Sequence, residues 1–311
     1  MPEEEYVWLP HENLLTFEEL STLVDRFTAL GVCKVRLTGG EPLLRRDLHL
    51  LVGMLAAKPE VQDLAITTNG VLLSDQAQAL REAGLHRVTI SLDTLDPRRF
   101  QEIARRDLHA RVLAGIAAAR RVGFLGTKLD MVVMRGRNDD EILPMLDYAR
   151  STGVELRYIE YMDVGGATRW SMGDVVSRAE ILATVTARHG KVTELGTEGN
   201  APAERFAFAD GTKFGIIAST TKPFCGSCDR ARLTADGMWY LCLYARTGLD
   251  LKSMIRSGAA AESITNAIAG VWVHRDDRGA ERRLELERRG PLVGAQELRG
   301  NPHLEMHTRG G

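Results

Sequence analysis

Apolar and polar positions along the first half of the chain follow two periods in turn. From Thr16 the pattern FEELSTLVDRFTAL has helical spacing, opened by a T-x-x-E capping box at Thr16 and Glu19 and ended by Gly31. Five units follow, each a short apolar strand and then a helix pattern: CKVRL (33–37), DLAIT (63–67), RVTISL (87–92), TKLDMVV (127–133) and VELRYIE (154–160). Strands alternating with helices predict an α/β fold around a parallel sheet, open or closed into a barrel. The helix at Thr16 has no strand pattern before it, so either the fold begins irregularly or a first strand is missing from this chain.

Buried parallel strands are normally continuous runs of Val, Ile and Leu, and these are not. Side chains two apart share a face of a strand. Lys34 and Arg36 therefore face away from Cys33, Val35 and Leu37; Thr67 and Asn69 away from Leu64 and Ile66; Thr89, Ser91 and Asp93 away from Val88, Ile90 and Leu92. Lys128, Asp130 and Arg157 extend the polar face. Because parallel sheets rarely leave a face to water, this face predicts a polar cavity inside a curled sheet. Four of its cations, Lys34, Arg36, Lys128 and Arg157, converge there. Buried without a partner they would cost several kcal/mol each, so the cavity expects a strongly anionic ligand such as a polyphosphate. Cys33, a lone cysteine on a strand, reads as a small buried apolar residue.

From Gly165 the repeat breaks. A helix pattern, SRAEILATVTAR, leads to hairpin dipeptides at Asp210-Gly211 and Asp236-Gly237, which predicts a division into residues 1–164 and a smaller α+β domain, 165–311. The second hairpin brings Cys242 back beside Cys225 and Cys228, three of the four cysteines in the chain. A disulfide, a zinc site and an iron-sulfur cluster are the open readings; an odd number disfavours the first, and zinc wants a fourth ligand at finger-like spacing. The arginines between them, Arg230 and Arg232, read as an exposed strand face or as anion ligands. The stretch HRDDRGAERRLELERRG (274–290) reads as solvated.

Composition narrows the class without naming a function. With 311 residues, 44% of them hydrophobic, and a formal net charge of −2, no long-range field favours nucleic acid or an anionic membrane. No apolar run reaches roughly eighteen residues, and the start MPEEEYVW is acidic rather than basic, which predicts a cytoplasmic protein.

The segments RLTGGEPLLRRDL, AITTNGVLL, TISLDTLDP, YIEYMDVG and PFCGSCDRARLTADG, in this order and spacing, resemble the GTP 3′,8-cyclase family of radical S-adenosylmethionine (SAM) enzymes. The resemblance implies an incomplete radical-SAM barrel lacking its first strand, with a C-terminal cluster-binding domain. It implies SAM contacts at Gly40, Ser91 and Met162, and GTP contacts at Lys34, Arg36, Thr67, Lys128, Arg230 and Arg232, with Arg157 a further cavity cation. A C-terminal 4Fe-4S cluster on Cys225, Cys228 and Cys242 would leave one iron open to GTP, and Gly310 and Gly311 would reach into the active site. The implied reaction begins molybdenum cofactor synthesis: a 5′-deoxyadenosyl radical takes H3′ of GTP, and the ribose radical closes onto guanine C8. Its product would pass to cyclic pyranopterin monophosphate synthase, and the resemblance admits a homodimer. The family's C-x-x-x-C-x-Y-C loop, which holds an N-terminal 4Fe-4S cluster, is not in this sequence. The expectation is that Met1 is internal to a natural product about thirty residues longer, enough for a strand and loop. The alternatives are a truncated, inert product keeping one cluster and a GTP site, or another radical SAM enzyme with an auxiliary cluster.

Overall fold

The computed structural model describes residues 8–124 and 126–310. The Thr16 capping box forms: its hydroxyl accepts from the Glu19 amide at 3.2 Å and the Glu19 carboxylate accepts from the Thr16 amide at 2.8 Å, opening α1 (Phe17–Thr28). The strand-helix units then appear as β1 (Lys34–Leu37), α2 (Leu48–Ala56), β2 (Asp63–Thr68), α3 (Leu73–Glu82), β3 (Arg87–Ser91), α4 (Pro97–Ala104), α5 (His109–Arg121), β4 (Lys128–Val133), α6 (Ile142–Thr152) and β5 (Glu155–Glu160). All five strands fall where the alternation predicts them. They pair in parallel and in sequence order, with Lys34 opposite Asp63 and Asp130 opposite Arg157.

Beyond residue 164 come α7 (Arg178–His189), β6 (Thr193–Gly196), β7 (Glu204–Ala207) and β8 (Lys213–Ile217). Both hairpin dipeptides make the turns expected of them, and β8 adds to β5 in parallel, with β7 and β6 following antiparallel. The eight-stranded sheet thus continues across the two halves of the sequence. Among the described residues β1 and β6 are its ends and do not pair with each other, so the sheet is open. A small antiparallel sheet of β9 (Arg232–Leu233), β10 (Met238–Tyr240) and β11 (Leu249–Asp250) precedes five helices, α8 (Leu251–Arg256), α9 (Ala261–Val273), α10 (Gly279–Leu284), α11 (Ala295–Gly300) and α12 (Met306–Arg309). No helix among the described residues is long and apolar enough to cross a membrane.

Two cores explain the layering. Leu64, Ile66, Val88, Ile90, Leu129, Leu156 and Tyr158, all on the apolar strand face, pack under the helices of the first half. A second core joins Leu23 of α1 to Trp239 of β10, Leu251 of α8, and Ile264 and Ile268 of α9. This accounts for a helix with no strand before it: one flank of α1 covers the sheet and the other holds the C-terminal helices, where Arg256 also pairs with Glu19 at 2.8 Å. Cys33 departs from expectation. It is half-exposed, because it precedes β1 at the end of the sheet rather than lying inside it.

The charged stretch 274–290 departs further from its solvated reading. Arg283 donates to Asp163 at 2.7 Å, and Arg289 donates through two nitrogens at 2.8 and 2.9 Å. The Tyr244 hydroxyl adds a fourth bond at 2.8 Å, and the Asp163 carboxylate is fully buried. Burial alone would push its pKa up; the bonds from Arg289, Tyr244 and Arg283 outweigh burial and hold it below the usual range. The C-terminal segment also docks on the loop after β5. Met306 donates its amide to Gly165, and a methyl group on Gly165 would overlap the Leu304 carbonyl oxygen.

Asp163→Asn keeps the shape but removes the charge that two guanidiniums face, and is expected to destabilise by about 3–5 kcal/mol. Thermal unfolding checks this; a midpoint within about 2 °C of the native protein would refute it. Gly165→Ala is expected to raise amide exchange over residues 302–310 while leaving the sheet protected. Unchanged protection there would show that the tail does not depend on this contact.

Candidate active site

The polar face of the sheet lines a cavity of about 3340 Å³. A site for one small molecule typically has about 300–1,000 Å³, so there is room for more than one ligand. Lys34, Arg36, Thr67, Lys128 and Arg157, separated by more than a hundred residues of sequence, all open onto it. Arg36 is braced by Thr67 and Thr89, to whose hydroxyls its Nη1 donates at 2.8 and 3.1 Å. Arg36 is pushed down to about 10 by burial first and then by Arg157 and Arg87; Lys128 is lowered by burial and then by Arg157. The cations are crowded enough to disfavour their own charges.

They are not as bare as the sequence suggested. Asp63 binds Arg87 through both oxygens, and Asp130 Oδ1 lies 3.4 Å from Arg157 Nε. Burial raises Asp130, against the pull of Arg157, Arg36 and Lys128. Positive charge still exceeds negative: Lys34, Arg36, Arg87, Lys128 and Arg157 face Asp63, Asp93, Asp130 and Glu155, the last paired across from Lys128. Arg157 Nη2 is a buried donor with no hydrogen-bond partner among the described residues, in a position to donate to an anion oxygen. Arg87 escaped the sequence reading although its signal was present, since it stands two before Thr89 on the same face.

Gly40, Ser91 and Met162 also line the cavity. The loop carrying Gly40 is fixed by Glu41, whose half-buried carboxylate accepts from the Leu43 amide (2.9 Å), the Thr68 hydroxyl (2.7 Å) and the Asn69 amide (2.8 Å). Burial raises this carboxyl despite the three bonds. Met162 packs in one apolar cluster with Val164, Tyr244, Cys225 and Cys242, which joins that residue to the cysteine site.

Cys225 and Cys228 lie at a tight turn, and Cys242 follows β10; all three are free, half-buried and open to the same cavity. Cys228 Sγ accepts from Arg230 at 3.4 Å and Arg275 at 3.6 Å, and Cys242 Sγ from the Tyr244 amide at 3.5 Å. Burial pushes the Cys225 thiol up. It acts on Cys228 too, but there the Arg230 charge and hydrogen bonds from both arginines win and the thiol falls. Among the described residues no group of three or more His, Cys, Asp and Glu could hold a single metal ion. A multi-iron cluster spreads its thiolates more widely than one ion does. Three thiols, two of them met by N–H donors, with the buried Nε atoms of Arg230 and Arg232 lacking partners among the described residues, fit a negatively charged iron-sulfur cluster beside an anion. Arg232 is pushed down to about 10, by burial first and then by Arg230.

The chain end closes one side. Arg309, 2% exposed, donates to the Leu243 carbonyl at 2.8 Å and lies over the Tyr240 ring at 4.3 Å. Gly310 rests on Thr38, at the start of the loop bearing Gly40, so closely that a methyl group there would collide with Thr38 Cγ2. Gly311 lies outside the described residues. His307, pushed down to about 4 by burial, packs at a tilt against Trp8 with ring centroids 4.5 Å apart. Arg275 and Arg309 were missed in the sequence because neither lies in a motif that points to the cysteines.

Family models match both halves of the chain: Radical SAM superfamily over residues 5–149 and Molybdenum Cofactor Synthesis C over residues 154–281. Among curated proteins, GTP 3′,8-cyclase 3 of Mycobacterium bovis is 52% identical over 315 residues, covering 100% of this chain and 83% of that protein. GTP 3′,8-cyclase 1 of Mycobacterium tuberculosis is 50% identical, covering 100% and 88%. GTP 3′,8-cyclase of Acidothermus cellulolyticus is 47% identical, covering 89% and 78%. The crystal structure of Streptococcus suis SuiB shares the fold at 14% identity and a TM-score of 0.51, with 81% of this chain matched to 62% of that one. A radical SAM family implies a 4Fe-4S cluster and SAM. The chain belongs to the GTP 3′,8-cyclase family of radical SAM proteins.

Proposed function

We propose that this protein converts GTP to (8S)-3′,8-cyclo-7,8-dihydroguanosine 5′-triphosphate, the first step of molybdenum cofactor biosynthesis. The observation that carries the reading is that one cavity holds both the cationic strand face and the three-cysteine loop. The names of the relatives supply the nucleotide, and the cation excess is what a triphosphate requires.

In this reading Cys225, Cys228 and Cys242 would hold a 4Fe-4S cluster, which would take part in binding GTP. Lys34, Arg36, Lys128 and Arg157 on the sheet, with Arg230 and Arg232 on the hairpin, bind the nucleotide's anionic groups; Thr67 braces Arg36 and meets GTP beside it. Gly40, Ser91 and Met162 receive SAM. With a second 4Fe-4S cluster in place, held by the C-x-x-x-C-x-Y-C loop that this sequence does not contain, SAM would supply the 5′-deoxyadenosyl radical. The protein's own part is to fix GTP so that its ribose stays within near-contact reach, and to keep water out with the tail that ends at Gly310 and Gly311. Activity is placed in the cytoplasm, ahead of an enzyme that consumes the cyclised nucleotide.

Anaerobically reconstituted protein that carries the C-x-x-x-C-x-Y-C loop ahead of this sequence, given SAM, dithionite and GTP, is expected to form 5′-deoxyadenosine and cyclised nucleotide in step, read by mass spectrometry. Absence of cyclised nucleotide while deoxyadenosine accumulates would overturn the substrate, and absence of both would overturn the activity. Arg157→Ala is expected to weaken GTP binding about 10- to 100-fold, since a charge-assisted contact is worth about 1.5–3 kcal/mol. Guanosine, which lacks the triphosphate, should lose far less. Calorimetry checks the pair; equal losses for both ligands would remove the triphosphate from this face.

A further inference from the structure

Arg275 lies in the stretch that composition reads as solvated, yet its guanidinium is half-buried against the cysteines. Its Nη2 donates to Cys228 Sγ at 3.6 Å and to the Leu241 carbonyl at 3.0 Å. Leu241 immediately precedes Cys242. One nitrogen therefore bridges the Cys225–Cys228 turn and the strand returning with the third cysteine. The guanidinium lies over the Trp272 ring at 4.7 Å, which fixes its plane, and its Nη1 is buried with no hydrogen-bond partner among the described residues. Arg230 approaches the same sulfur from the turn itself, at 3.4 Å, but makes no such bridge.

We infer that Arg275 is a positioning residue for the cysteine site: it holds the two cysteine-bearing segments in register and places a fixed positive N–H donor on the Cys228 sulfur. The inference rests on the reading of Cys225, Cys228 and Cys242 as cluster ligands. Donors to a ligand sulfur are among the features that set a cluster's reduction potential, and removing a partner of a metal ligand typically weakens metal retention about 10- to 100-fold. A fixed positive charge favours the more negative, reduced cluster. Its loss should therefore lower the potential.

The test uses the full chain, reconstituted anaerobically with iron and sulfide, comparing the native protein with Arg275→Gln and Arg275→Lys. Cluster retention is read by competition with an iron chelator, and the midpoint by a dithionite titration followed by electron paramagnetic resonance. Arg275→Gln is expected to lose iron at about 10- to 100-fold lower chelator concentration and to shift the midpoint to a more negative value. Arg275→Lys keeps the charge but not the planar fork, so it should recover most of the midpoint and little of the retention. Native retention and midpoint in Arg275→Gln would overturn the inference. If Arg275→Gln does not fold, Arg275→Lys decides: native-like retention would overturn the bridge. A native protein whose iron content and spectrum match those of Cys225→Ala/Cys228→Ala/Cys242→Ala would overturn the cluster reading and the inference with it. That result is distinct, because it appears before any arginine is changed.

Discussion

The buried carboxylate of Asp163 is the constraint on which the cavity's mouth depends. A carboxylate with no exposure is strongly unfavourable unless its oxygens are filled, and here Arg283, Arg289 and Tyr244 fill them. Each partner comes from a different part of the C-terminal half. Tyr244 stands two residues after Cys242, Arg283 is on α10, and Arg289 also donates to the Thr220 carbonyl beyond β8. Asp163 itself follows Met162 near the start of the loop after β5. One charge therefore fixes the residue read as a SAM contact relative to the cysteine hairpin, and satisfying its lone pairs requires the whole second half to close over the sheet.

The sheet beneath shows the same economy of charge. Its outer face is apolar and buried under helices, which leaves its inner face free to carry function. Asp63 and Asp130 offset part of the positive charge, while Arg36 and Lys128 are lowered by burial first and then by Arg157. Positive groups held apart by strand spacing cannot relax toward one another. A polyanion entering the cavity would relieve that crowding.

This division explains how much could be read from the chain. Period-two alternation sees both faces of a strand at once, so the five strands, their polar face and the convergence of Lys34, Arg36, Lys128 and Arg157 were legible. The Thr16 cap and the two Asp-Gly turns were legible because their chemistry is local. Arg283 and Arg289 were not, because a mixed charge run is solvated unless a partner buries it, and theirs lies 120 and 126 positions away. Arg275 was hidden for the same reason. The offset by Asp63 and Asp130 was visible as residues on the right face but not as pairing, which depends on strand neighbours. The role of α1 was unreadable because its second flank packs on helices more than two hundred residues later.

The positive groups form two sets with separate neighbours, and this limits what can fill the cavity. Arg36 is lowered by burial and then by Arg157 and Arg87, all on the sheet; Arg232 is lowered by burial and then by Arg230 and Arg309, on the hairpin and tail. A compact anion such as inorganic phosphate relieves only one set, since an interaction between charges fades over roughly a Debye length of 8–10 Å in salt. An elongated ligand with several acceptors meets both, and it also reaches the thiols beside Arg232. A nucleoside triphosphate has that length and that distribution of oxygens, whereas SAM carries a positive sulfonium and gains nothing from either set.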